Sequence, residues 1–456
     1  MAKAAQTFRC VECGWTTSKW VGRCGECQAW GTVDEATTAR PGGTSPGPVA
    51  QSARPIGAVG LEPARSRPTG VEEFDRALGG GLVQGAVILL AGEPGVGKST
   101  LLLDVTARWA KDAGRALYVT GEESAAQVRL RAERTGGIAD DLFLAAETDL
   151  SAVLTHIDEV KPSLIVLDSV QTIASPTLDN AVGGVNQVRE VAATLIHVAK
   201  ERGIATILVG HVTKDGSIAG PRVLEHLVDV VLHFEGDRHS RLRMVRTVKN
   251  RYGPADEVGC FDLSDSGIES LADPTGLFLS RHAAPVPGTC VTVTVEGRRP
   301  LLGEVQALVA PSALNTPRRA NSGLDSARVS MVLAVLERRG RVQLAMKDIY
   351  TSTVGGARLV EPAADLAVLI AVASAAAGQA TPMGMIALGE VGLAGEIRRV
   401  TGTQRRLAEA ERMGFSTALV PPDSGPVPSG IRVLEVENVG SALAVVADPA
   451  SAFPVG

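Results

Sequence analysis

Aromatic side chains are scarce in this 456-residue chain: eight Phe, four Trp and three Tyr make up 3% of it. Net charge is small too, at −5, so the composition advertises no nucleic-acid partner and any such surface must be local. Met1 to Arg9 holds no apolar segment of the kind that opens a secretory signal. The most apolar helix-like run, Leu366 to Ala377, is short and Ala-rich with Asp365 at its head, which fits a buried helix and not a membrane span. Cysteines number six, and four of them fall in the first 27 residues, which rules out a distributed disulfide framework. A cytoplasmic protein without a membrane partner is the economical reading. The remainder is 45% hydrophobic and 21% charged, a globular balance, and the length calls for about two or three domains.

The strongest pattern is Gly92-Glu93-Pro94-Gly95-Val96-Gly97-Lys98-Ser99-Thr100, a match to G-x-x-x-x-G-K-[ST]. Glycines let successive backbone N–H groups turn inward around phosphates. Lys98 is placed to reach the β- and γ-phosphates, and the Ser99 hydroxyl to complete a Mg²⁺ shell. Val87 to Ala91 reads as a buried strand before the loop, and Leu101, Leu102, Val105 and Trp109 recur at helical spacing after it. The chain is expected to bind a nucleoside triphosphate.

Cys10-x-x-Cys13 and Cys24-x-x-Cys27 form two knuckles ten residues apart. Two such turns close a tetrahedron of thiolates around Zn²⁺, with no open position for catalysis. Trp15, Trp20 and Trp30 crowd this segment; packing over the zinc site is favoured over stacking on bases. Residues 34–67, with Pro41, Pro46, Pro48, Pro55 and Pro63 and no periodicity, read as a linker.

From Pro68, strands and helices alternate as in a mostly parallel sheet covered by helices. Thr69 is the expected cap of a first short helix. Leu164-Ile165-Val166-Leu167-Asp168 ends in an acid placed to hold Mg²⁺. Gly121-Glu122-Glu123-Ser124 follows another strand, and a carboxylate there can polarise attacking water; spacing leaves Glu122 and Glu123 open, with Glu122 preferred. Loops at Ser175 to Gln187 and Gly210 to Arg222, the latter carrying Lys214, suit partner contact as well as they suit an ordinary surface. Arg238, Arg241, Arg243, Arg246, Lys249 and Arg251 form a run without an acid, ending in Lys249-Asn250-Arg251-Tyr252-Gly253. This compact cationic turn is suited to phosphates of DNA or of a neighbouring subunit's nucleotide.

With these motifs the chain resembles the bacterial RadA (Sms) family of DNA repair ATPases over essentially its whole length. That resemblance implies a RecA-like ATPase core assembling as a hexameric ring on single-stranded DNA. It also implies branch migration of recombination intermediates together with the RecA recombinase. By the same resemblance Lys98 and Ser99 belong to Walker A and Asp168 to Walker B, while Lys249 and Arg251 act across a subunit interface. The family's hallmark KNRFG carries Tyr252 here in place of Phe. Its zinc motif is linked to contact with RecA. Lys214, Arg222, Arg246, Lys249 and Arg251 are the expected DNA-contacting residues, and Lys98, Glu122, Asp168, Lys249 and Arg251 the catalytic set.

After about Asp273 the chain looks like the peptidase domain of Lon proteases, whose Ser–Lys dyad is replaced here. Ala363 falls where the serine belongs and Gln404 where the lysine belongs, and neither can do the chemistry. Arg398, Arg399, Arg405 and Arg406 are followed by Glu409 and Glu411, so a DNA patch and a salt-bridged helix face compete evenly. The expected organisation is a zinc motif over 1–33, a linker over 34–67, a RecA-like α/β ATPase domain over 68–272, and a Lon-like α+β scaffold over 273–456. The expected cofactors are ATP, Mg²⁺ and Zn²⁺. A regulatory ATPase that switches protein partners without moving DNA is the competing reading.

Overall fold

The structure is a computed structural model. It describes residues 8–10, 12–35, 53–58, 60, 65–212, 222–236, 241–264, 267–280 and 284–447. Two compact units divide at Gly60. In the first, β1 (Phe8–Cys10), β2 (Thr16–Thr17) and β3 (Val33–Glu35) form an antiparallel sheet in the order β2-β1-β3. Its small core is Cys10, Cys24 and Val33, with Phe8, Trp15 and Val21 against it. So few apolar residues cannot fold a unit of this size without help from a metal.

The second unit starts inside the stretch read as linker, because β4 (Ser66–Arg67) pairs with β5 (Leu82–Val83). Between them lies α1 (Glu72–Leu78). Its N-cap position is Val71 and not Thr69: Gly70, at φ +85°, turns the chain before the helix starts. Thr69 instead bonds the Val71 N–H, while Asp75 reaches back to the N–H groups of Thr69 and Gly70. After α1, Gly81 passes so close to Arg67 that a Cβ would lie 2.2 Å from its carbonyl oxygen.

The chain then alternates through β6 (Val87–Gly92), α2 (Lys98–Asp112), β7 (Ala116–Thr120), α3 (Ala125–Arg134), β8 (Leu142–Ala146), α4 (Leu150–Val160), β9 (Leu164–Asp168), α5 (Val185–Arg202), β10 (Ala205–His211), α6 (Arg222–Glu225) and β11 (Val230–Gly236). Three antiparallel strands follow: β12 (Leu242–Asn250), β13 (Val258–Ser264) and β14 (Gly267–Ser270). The sheet runs β14-β13-β12-β11-β6-β10-β9-β7-β8, and every pairing from β11 to β8 is parallel. Alternate residues fill the two faces, as the two-residue period of a strand requires. Ile88, Leu90, Tyr118 and Ile207 pack with α1 and α2, and Val87, Leu89, Leu117 and Leu208 pack with α4 and α5.

Past α7 (Thr275–Phe278) a second sheet forms from β15 (Thr289–Glu296), β16 (Arg299–Pro311), β17 (Arg319–Ser322), β18 (Lys347–Thr353), β19 (Met385–Ala387), β22 (Thr417–Val420) and β23 (Arg432–Glu435). The short hairpin β20 (Glu390–Val391) and β21 (Ile397–Arg398) stands beside it. Helices α8 (Ser326–Arg338), α9 (Asp365–Ala377) and α11 (Val439–Ala447) share one core, and α10 (Thr403–Arg412) closes the other face. The apolar run is indeed a buried helix, and no helix among the described residues is long and apolar enough to cross a membrane. The two sheets meet at a buried ion pair, Glu73 of α1 with Arg299 of β16.

Candidate functional site

The centre of the site is the turn between β6 and α2, at the carboxyl end of a strand flanked by parallel neighbours on both sides, where such sheets receive ligands. Gly92 lies in register with Phe234 and His211, and a Cβ on it would meet the Phe234 carbonyl oxygen at 2.5 Å. Lys98 opens α2 and is 3% exposed. Its Nζ donates to the carbonyls of Gly92 at 2.9 Å and Glu93 at 2.8 Å. Burial pushes its pKa down to about 8, against the pull of Asp168 and Glu122. Ser99 follows in the first turn of the helix, where backbone N–H groups and the helix dipole favour an anion.

Asp168 ends β9, beside Thr120 of β7. Its Oδ2 accepts from the Tyr118 hydroxyl at 2.6 Å, while its buried Oδ1 has no partner among the described residues. Burial, and then the Asp168 charge, hold the Tyr118 pKa far up, so the phenol stays a donor. One oxygen anchored and one open, at the end of a strand beside the phosphate loop, is the donor arrangement a hydrated Mg²⁺ needs.

The two glutamates left open by spacing have different surroundings. Glu123 is tied to Arg131 on α3. Glu122 accepts from Ser169 Oγ at 2.6 Å and from His211 Nε2 at 2.7 Å, both on Oε1. Lys98, Asp168 and Glu122 are therefore brought together, from three different strand ends.

Lys249 and Arg251 are not part of that cluster. Because β12 runs antiparallel to β11, Asn250 lies opposite Val230, which pairs with Ile88 near the start of β6. The cationic turn thus sits about 13 Å or more from the phosphate loop, four residues of strand away. Lys249 Nζ donates to the carbonyls of Glu225 at 2.7 Å and Val228 at 2.8 Å. Arg251 is half-exposed beside Asp229, 3.3 Å away, and the Tyr252 hydroxyl meets Lys200 Nζ at 3.2 Å.

Several charges read as available are engaged within the chain. Arg246, expected to meet DNA, pairs with Glu296 at 2.7 Å and Glu235 at 3.4 Å, because a half-buried strand position favours internal partners. Arg406 is 1% exposed and paired with Glu361, and Arg398 and Arg399 pair with Glu396 and Asp423. That resolves most of this arginine group toward ion pairs. Ala363 is buried and Gln404 is exposed on α10; the Glu361–Arg406 pair binds their two segments together. Lys214 and the side chain of Arg222 lie outside the described residues.

The roles of Arg243 and Gln187 were not anticipated by the sequence reading. Arg243, counted in the cationic run, is buried and donates Nε to the Val96 carbonyl of the phosphate loop at 2.9 Å. The inward alternation of Arg243, Val245 and Thr247 on β12 was the available signal. Gln187, 1% exposed, bonds the backbones of Ser175, Leu178 and Asn180 and so staples the loop after β9. No local pattern marks that role.

In the first unit, the Sγ atoms of Cys10, Cys13, Cys24 and Cys27 lie within 4.8 Å of one another. Cys10 and Cys27 are 3.7 Å apart and Cys13 and Cys24 3.4 Å, near the edge of ~3.8 Å of a tetrahedron with Zn–S bonds of about 2.3 Å. The donor set fits zinc. Trp15 packs on this core, where Gly25 leaves room for its ring. Trp20 and Trp30, expected to pack there too, are 65% and 75% exposed. Cys24→Ser is expected to release the metal and unfold the first unit while leaving the melting of the second unchanged, measured by zinc content and by scanning calorimetry.

These features define a P-loop ATPase with an attached zinc ribbon. A family profile described as an AAA domain matches residues 66–217, and one described as a rubredoxin metal binding domain matches residues 8–35. The DNA repair protein RadA of Mycolicibacterium smegmatis is 57% identical over 97% of both chains. Its counterpart from Mycobacterium tuberculosis is 56% identical, covering 98% of this chain and 94% of the relative. That of Streptococcus pyogenes serotype M6 is 44% identical over 98% of this chain and all of the relative. The chain belongs to the RadA family.

Proposed function

We propose that this protein is a DNA-dependent ATPase of recombinational repair, working as a ring on single-stranded DNA and processing recombination intermediates by branch migration. The carrying observation is the placement of charged groups at opposite ends of one sheet. Lys98, Asp168 and Glu122 converge at the carboxyl end of β6, β7 and β9, and Arg251 stands at the far end with its guanidinium half-exposed. An arginine there serves no nucleotide in its own chain, so it is positioned to serve the next one.

In this reading ATP lies on the loop from Gly92 to Thr100, with Lys98 exchanging its two carbonyl partners for phosphate oxygens. Bound Mg²⁺, held by Ser99 and Asp168, would neutralise charge on the phosphates. Glu122, with Oε1 held by two donors, offers Oε2 to orient the attacking water. Lys249 and Arg251 of a neighbouring copy would offset charge developing on the transferred phosphoryl group. The zinc ribbon is a docking element for the RecA recombinase, and the second sheet, with Ala363 and Gln404 in place of a dyad, is a ring-packing scaffold without peptidase activity.

The experiment is the ATPase rate with and without single-stranded DNA, together with the mass in the presence of a non-hydrolysable nucleotide. Stimulation by roughly tenfold, falling steeply with salt, and a hexameric mass are expected. An ATPase indifferent to DNA would instead favour a regulator that switches protein partners.

A further inference from the structure

Glu122 is held by donors that both choose the same oxygen. Ser169 Oγ and His211 Nε2 converge on Oε1 at 2.6 and 2.7 Å. A carboxylate only accepts, so Nε2 is the donor in this bond. The other ring nitrogen, Nδ1, is buried and has no partner among the described residues. His211 is the last residue of β10, and the next residue, Val212, donates its N–H to the Gly92 carbonyl at 3.2 Å. That same carbonyl accepts from Lys98 Nζ. The histidine is therefore joined to the phosphate loop through the backbone and to the glutamate through its ring.

We propose that His211 is a brake on turnover: its ring holds Glu122 Oε1 and keeps the carboxylate weakly reactive until movement at the phosphate loop draws the end of β10 away. The proposal rests on the reading of Glu122 as the residue that handles the attacking water. The His211 hydrogen bond is also the largest reason the Glu122 pKa is lowered to about 2; burial opposes it and Ser169 adds to it. So acidic a carboxylate has little affinity for a proton at neutral pH, and efficiency in proton transfer follows that affinity. Without His211, Ser169 still anchors Oε1. Orientation is kept while basicity returns, so the histidine acts as a positioning residue whose loss speeds the reaction. An ordinary structural role would slow it.

The test uses the full chain with Mg-ATP. His211→Ala is expected to raise kcat without DNA by about threefold or more, leave KM for ATP within about twofold, and shrink DNA stimulation in proportion. His211→Gln, whose amide can donate to the same oxygen, brings kcat back toward wild type. A DNA-free kcat of His211→Ala at or below wild type overturns the brake. Should His211→Ala fail to fold, His211→Leu, which fills the space without donating, is judged by the same criterion. The two readings separate cleanly. Glu122→Gln with full turnover would remove the role of Glu122 itself, whereas an inactive Glu122→Gln beside an unaccelerated His211→Ala sinks the brake alone. A wild type unresponsive to DNA sinks only the DNA-dependent function, and the DNA-free rates still decide the brake.

Discussion

Chains carrying Lys98→Ala and chains carrying Arg251→Ala, each at least ~100-fold slower than wild type alone, will regain about a quarter of the turnover when assembled together in equal amounts. The reasoning is a count of interfaces. Each site takes its phosphate loop from one chain and its arginine from the next. In a random mixture about one interface in four joins an intact loop to an intact arginine. Loss of Lys98 removes the cation that meets the phosphates, and an arginine acting across an interface is worth roughly 10³ or more in rate.

The Arg251 change does not threaten the fold in a way that would confuse the result. Arg251 is 56% exposed, and a pair of that kind contributes about 0–1 kcal/mol. Its partner Asp229 keeps Lys200 and the Val87 N–H after Arg251 is gone. Burial pushes the Asp229 pKa up, but the Lys200 and Val87 hydrogen bonds and the Lys200 charge together hold it below its ordinary value, so the carboxylate remains charged and paired. Mixed assemblies that form, as seen by tagged pull-down, yet show no recovery would rule out the shared site. So would an Arg251→Ala chain that hydrolyses ATP and responds to DNA as the wild type does.

The parts of this site readable from sequence are those where one local segment does the whole job. The phosphate loop needs glycines, a lysine and a hydroxyl in one turn, and the Cys-x-x-Cys knuckles need their spacing; both are contiguous. Strand ends such as Asp168 were legible because a buried parallel strand is a continuous apolar run that stops at the first functional residue. What stayed hidden depends on residues far apart in the chain. Arg246 sits in a run of cations, but its partners Glu235 and Glu296 arrive from β11 and β15. His211 meets Glu122 across 89 positions, and Glu123 is tied to Arg131, which is one helix away.

Glu73→Ala will destabilise the second unit by about 3–5 kcal/mol, the largest single-substitution loss expected outside the aliphatic core. Glu73 is 2% exposed and Arg299 8%. One Glu73 oxygen takes the Arg299 guanidinium and the Cys260 N–H at 2.8 Å, and the other takes Arg76 Nε at 3.2 Å. Removing the carboxylate leaves a buried guanidinium whose remaining partners among the described residues are the carbonyls of Val258, Leu271 and Ala272. Carbonyls satisfy its N–H groups but do not balance its charge. Arg299→Met in the same chain removes that stranded charge and should recover much of the loss, whereas the backbone N–H of Cys260 stays unsatisfied in both. Urea unfolding of the three variants measures this directly, and a Glu73→Ala midpoint matching wild type would contradict it. A second readout separates stability from coupling between the two sheets. α1 rests so closely on β13 that a Cβ at Gly259 would lie 2.1 Å from the Glu73 carbonyl oxygen, and β13 is hydrogen-bonded to β12, which carries Arg243 at the phosphate loop and Lys249 at the far edge. If that contact couples the two sheets, the double substitution will restore stability and still blunt the response of ATP turnover to DNA. If the pair serves stability alone, the two will recover together.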